Sequence, residues 1–120
     1  MKLTNLQIMN SEQVLVKLKQ QELPILVAYK LNKIIKSMGE KLQFIHEQRD
    51  EIIKKYGTET NGTYAIDEHD QENINKFLED FKQVLSIEEE VEIEKLELKD
   101  FVDVKISSDE FELVSFLFLE

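Results

Sequence analysis

The chain has 120 residues, 42% of them hydrophobic and 33% charged, with three glycines, one proline and no cysteine. That composition fits one folded domain and excludes disulfides, thiol chemistry and thiolate-held zinc. A formal net charge of −10 works against phosphate-backbone binding, which relies on Lys and Arg, so no direct nucleic-acid contact is expected.

The charge is unevenly placed. Residues 1–60 carry 10 basic and 7 acidic groups, whereas residues 61–120 carry 5 and 18. The asymmetry reads either as a solvated polar face or as a surface that seeks a basic partner. The opening Met1-Lys2-Leu3-Thr4-Asn5 lacks the apolar run of a signal peptide. The most apolar stretch, 111–119, is far shorter than the roughly 20 residues of a membrane span. A soluble protein without a membrane contact is the expectation.

In chain order, residues 2–9 hint at a short strand with Leu6 and Ile8 on one face. Asn10 with Gln13 three residues on has the pattern of a capping box, so a first helix is expected from there, carrying Val14, Leu15 and Leu18. Pro24 ends it at Leu23 and opens the next. Ala28, Leu31, Ile35, Met38, Leu42, Ile45, Arg49, Ile52 and Tyr56 then recur at steps of three and four, a heptad seam with one charged intrusion. Lys54 and Lys55 suit the last turn, and Gly57 is expected as a C-cap with positive φ. Such a helix would run about 50 Å at 1.5 Å per residue, and a compact domain of this size has a radius of gyration of only about 14 Å. It should project beyond the body.

Asn61-Gly62 predicts a type I′ hairpin with arms near 58–60 and 63–66. A helix beginning near 67–70 follows, with Ile74, Phe77, Leu78, Phe81, Val84 and Leu85 as its stripe, folded antiparallel onto the long helix. After Ser86 the period changes to two. Glu90, Glu92 and Glu94 alternate with Val91 and Ile93, and Val102, Val104 and Ile106 with Asp103 and Lys105, predicting two strands. Ser107 with Glu110 forms a capping box before a last helix bearing Phe111, Val114, Leu117 and Phe118. The predicted fold is α+β: a long antiparallel helical hairpin with a small β-element and a C-terminal helix, in a single domain spanning 1–120.

Few residues carry chemistry. His46-Glu47-Gln48-Arg49-Asp50 brushes against the helical zinc-peptidase motif, but Asp50 stands where that motif has its second histidine. His69 stands alone near a helix start. The run Glu88, Glu89, Glu90, Glu92, Glu94, Glu97 is the densest charge feature, and on a strand its alternate members would form a row about 7 Å apart. That row reads as a solvated edge, as an electrostatic contact surface, or, least favourably, as a hard-cation site, which needs converging oxygens. No catalytic residue, metal ligand or cofactor is assigned.

Two candidate interaction surfaces follow. One is the acidic face of Glu88, Glu90, Glu92, Glu94 and Glu97. The other is the helical seam of Ile35, Met38, Leu42, Ile45 and Ile52. A partner helix of about 20 residues, roughly 30 Å, cannot cover 50 Å of seam. Either the first helix or a second subunit covers the rest, so a homo-oligomer is one expected outcome.

Lys2, Leu3 and Asn5, the Leu23-Pro24 break before Ala28-Tyr29-Lys30-Leu31, Lys55-Tyr56-Gly57, Asn61-Gly62 and Glu90-Val91-Glu92-Ile93 together resemble a family of small proteins encoded by tailed phages and prophages of Gram-positive bacteria. The resemblance implies a viral origin and action in the bacterial host cytoplasm, and it brings no assigned activity and no functional residues. The expected function is a non-enzymatic accessory role through protein–protein binding, as a virion or assembly component or by self-association. The alternative is an acidic inhibitor that offers its negative half to a host or defence enzyme in place of nucleic acid. Metal-dependent hydrolysis ranks far below both.

Overall fold

A computed structural model describes residues 1–119. The chain begins with β1 (Lys2–Thr4) and passes straight into α1 (Asn5–Lys19). The strand expected over 2–9 therefore stops at its third residue. The capping box lies at Thr4 and Gln7, not at Asn10 and Gln13: Gln7 N–H donates to Thr4 Oγ1 at 3.1 Å, and Thr4 N–H to Gln7 Oε1 at 2.9 Å. Burial favours the earlier start, because a helix from Asn5 turns Asn5, Ile8, Ser11, Val14, Leu15 and Leu18 inward at steps of three and four.

Pro24 caps α2 (Ile25–Tyr56), 32 residues long. At 1.5 Å per residue it runs about 48 Å, which matches the molecule's longest dimension of 48 Å against 26 and 24 Å for the others. The radius of gyration is 17.1 Å, above the compact-domain value, so the long helix does project. Its fully buried line is Val27, Leu31, Ile34, Met38 and Ile45, with Ile35 and Leu42 only half-buried. The expected single seam is split because α2 serves two neighbours at different angles. Ser11 of α1 packs on Met38, while Lys30 and Lys41 reach Glu94 and Glu89 on another side.

At the far end, β2 (Thr58–Thr60) and β3 (Thr63–Ala65) form the expected hairpin, with Asn61 at φ 53 and Gly62 at φ 81. Gly57 is the C-cap of α2, as expected, but its φ is −98 and not positive. A Cβ there would stand 2.6 Å from the Ile53 carbonyl oxygen and 2.8 Å from that of Ala65, so the glycine serves close approach instead of a left-handed turn.

Asp70 caps α3 (Gln71–Leu85), whose side-chain oxygen accepts from Asn73 N–H, and α3 returns along α2. Then β4 (Glu88–Glu90) pairs antiparallel with β1, Leu3 opposite Glu89. Neither strand predicted after Ser86 forms as drawn: the first is confined to 88–90, and 102–106 is a turn at Val102 and Asp103 followed by chain without a ladder. Val104 and Ile106 still turn inward and Val102 outward. Alternation describes which side is covered and cannot supply a neighbouring edge to bond.

A 3-10 turn at Leu98–Phe101 leads to α4 (Ser108–Val114), held by the expected Ser107–Glu110 box. A second 3-10 turn, Ser115–Leu117, lets Phe118 bridge Leu96. Phe101, Phe111 and Phe118 pack with ring centroids 5.3 and 5.4 Å apart, closing this end of the core. The fold is α+β, with the C-terminal helix on the body of the helical hairpin.

Candidate functional site

The two ends of the molecule differ in how well the chain covers itself. Among the described residues every buried one lies in 3–45 or 91–118, and none from 46 to 90 is buried. Yet α3 carries the full stripe expected of it, with Ile74, Phe77, Phe81, Val84 and Leu85 half-buried and Leu78 55% exposed. Phe77 and Phe81 stack with centroids 5.6 Å apart. On the α2 side Ile52, Ile53 and Tyr56 are half-buried and Phe44 is 42% exposed. Two helices facing each other can cover only the inner side of each stripe, and α1, about 22 Å long, meets α3 near its C-terminal end, where Asn5 Nδ2 donates to the Val84 carbonyl at 3.0 Å. Residues 50–80 thus form an arm of helix ends and hairpin. Polar ties hold its register: Tyr56 Oη donates to Asp80 Oδ2 at 2.7 Å, and Lys55 Nζ stands 3.7 Å from the same oxygen.

The seam residues divide along this line. Met38 and Ile45 are fully buried in the body. Ile35 and Leu42 are half-buried against that core, and Ile52 lies on the arm outside it. Arg49, the charged intrusion, lies beside a cleft lined by Glu12, His46 and Glu110 and pairs with Asp50 at 3.5 Å.

The acidic run is not a free row. Glu89 reaches Lys41 at 3.2 Å, Glu90 the N-terminal ammonium at 2.9 Å, Glu94 Lys30 at 3.4 Å and Glu97 Lys99 at 2.9 Å. The amino terminus holds Glu90 below the usual carboxylate range, and Lys99 does the same for Glu97. Glu88 and Glu92 have no ion-pair partner among the described residues. Since β4 ends at Glu90, Glu92 and Glu94 do not continue a strand-spaced row.

His46 Nε2 lies 3.0 and 3.2 Å from the two carboxylate oxygens of Glu12, a tie between α2 and α1. His69 is exposed beside Glu68. Among the described residues no group of three or more His, Asp or Glu side chains converges as a metal site would. No helix is long and apolar enough to cross a membrane.

A second uncovered surface lies at the opposite end, and composition alone did not single it out. Ile25, Leu26 and Tyr29, in the first turns of α2, are 84%, 73% and 63% exposed. Leu98 and Val102 are also largely exposed. The available signal was electrostatic: residues 25–39 contain three lysines and no acid.

No protein-family model, no curated protein and no solved structure matches the chain.

Proposed function

We propose that this chain is a non-enzymatic accessory protein of a tailed phage or prophage that acts in the host cell by binding protein, and that the arm of residues 50–80 is its docking surface. The observation that carries this reading is the uncovered amphipathic hairpin: α3 has a complete apolar stripe and not one buried residue. An apolar stripe left half in water is a stable arrangement for a chain that gains its last layer from a partner. The phage assignment rests on the residues of the resemblance alone.

The acidic-inhibitor alternative has less support, because four of the six glutamates in the run already hold cations of the same chain.

Leu78→Asp tests the reading. Leu78 is more than half exposed, so the variant should keep the helical circular dichroism and melting temperature of the wild type. It should lose bound protein in affinity capture from infected cells, and any self-association, by at least about thirtyfold if Leu78 is a central contact of about 2 kcal/mol. Equal capture of the same proteins, with self-association unchanged, would remove the arm as the docking surface.

A further inference from the structure

Resting on the reading of the arm as a docking surface, we infer that its occupant is a second copy of this chain, seated head to tail on the basic first turns of α2. Three observations converge. The arm of residues 50–80 carries nine acidic and three basic side chains. The start of α2 has the opposite character: residues 25–39 carry three lysines and no acid, and here Ile25, Leu26 and Tyr29 are the apolar residues left most open on any helix.

Along this ridge Tyr29, Lys33 and Lys36 line a shallow groove, with Glu40 at its far end. Lys33 Nζ lies 5.6 Å over the Tyr29 ring. Neither Lys33 nor Lys36 has an ion-pair partner among the described residues, whereas Lys30, on the other flank, is held by Glu94. Each surface therefore supplies what the other lacks: uncovered apolar area on both, with opposite charge around it.

The two surfaces cannot meet within one molecule. They belong to opposite ends of a single helix, and Tyr29 is about 40 Å from Tyr56 at 1.5 Å per residue. Nor does like meet like well: arm against arm sets one excess of carboxylates against another. The complementary contact is heterologous, arm of one copy to ridge of the next, and a heterologous contact that does not close on itself propagates as an open series.

The test is charge exchange, read by sedimentation velocity across protein concentration. Glu51 and Glu79 are exposed arm residues without an ion pair among those described. Wild-type protein should grow beyond the dimer as concentration rises. Association should weaken on the order of tenfold between 0.1 M and 1 M salt, as the screening length falls from about 10 to about 3 Å. Lys33→Glu/Lys36→Glu alone, and Glu51→Lys/Glu79→Lys alone, should each be monomeric. Mixed, they should associate again, since the unchanged acidic arm of the ridge variant then finds the unchanged basic ridge of the arm variant. That rescue cannot come from a pair of misfolded variants.

A closed dimer that grows no further, or association indifferent to both reversals, would overturn the head-to-tail contact. A wild type that stays monomeric at every concentration would overturn it too. If such a monomer still captures another protein through Leu78, the arm remains a docking surface and only the second copy is ruled out as its occupant.

Discussion

Lys17 Nζ on α1 stands 3.0 Å from Glu110 Oε1 on α4, and the same oxygen accepts the Ser107 N–H at 2.9 Å. One carboxylate thus completes a capping box and ties the C-terminal helix to the first. The Ser107 N–H, and after it Lys17, holds the Glu110 carboxyl below its ordinary value of 4.5.

That lowering sets a direction for pH. An acid whose pKa is depressed by folding adds stability that is complete above its unfolded value, and that stability is lost as pH falls through the lower folded value. Glu110→Gln should therefore melt below the wild type at neutral pH, and the gap should narrow as pH drops below about 4.5. A gap that stays constant down to pH 2 would mean that the pairing contributes nothing through ionisation.

The three glycines should respond to alanine in three different ways. Gly57→Ala places a Cβ within 2.8 Å of two carbonyl oxygens and should cost about 1–3 kcal/mol or more, as overpacking does. Gly62→Ala meets no neighbouring atom but sits at φ 81, so it should cost about 1 kcal/mol in left-handed strain. Gly39→Ala, exposed in the middle of α2 with open space around it, should stabilise by about 0.5–1 kcal/mol. Chemical denaturation of the three variants checks the order, and a Gly57→Ala protein as stable as the wild type would remove the close-approach account.

Truncation along α2 should separate body from arm. Met38→Ala and Ile45→Ala empty fully buried positions and should each cost about 2–5 kcal/mol, equally at low and high protein concentration. Ile52→Ala lies outside the core and should cost less in the monomer. If a second copy covers the arm, its penalty should grow with concentration, as mass action requires. Arg49→Leu should be neutral or stabilising and should favour self-association, because Arg49 is only half-covered and its carboxylate partner, Asp50, is exposed. Equal losses for Ile52→Ala and Met38→Ala in dilute protein would show that arm and body share one core.

Elements specified by neighbouring residues could be read from the sequence, and elements that depend on distant partners could not. Asn61-Gly62 gives its hairpin through the two positive φ values it accepts, and Ser107 with Glu110 gives the start of α4, because in each case the bonding groups are local. The start of α1 was ambiguous since Thr4–Gln7 and Asn10–Gln13 present the same pattern. The choice between them goes with the burial of Asn5, Ile8 and Ser11 and with Leu3 pairing with Glu89, 86 positions away. Residues 102–106 alternate as a strand does, but no edge lies beside them. The acidic residues were plain in the sequence, while the cations that hold Glu89, Glu90 and Glu94 come from the distant Lys41, Met1 and Lys30. The exposure of Ile25 and Leu26 was equally hidden, because periodicity marks which residues can be buried and never what arrives to cover them.

Those held cations allow the acidic-inhibitor alternative to be tested cleanly. Glu90 and Glu94 are tied to the amino terminus and Lys30, so Gln at both should loosen contacts of the N-terminus and α2 inside the molecule. Glu88 and Glu92 are exposed and have no ion-pair partner among the described residues, so Gln at both alters only what a partner meets. If binding runs through the arm, Glu88→Gln/Glu92→Gln should bind as the wild type does. Glu90→Gln/Glu94→Gln should at most lower the melting temperature slightly, since exposed ion pairs contribute little to stability. An inhibitor that imitates nucleic acid would behave oppositely, losing affinity at Glu88 and Glu92 with its melting unchanged and losing more as salt is added. Isothermal titration of both double variants against the captured partner, at 0.1 M and 1 M salt, separates the cases. Loss confined to Glu88→Gln/Glu92→Gln, with Leu78→Asp still binding, would transfer the site from the arm to the acidic segment.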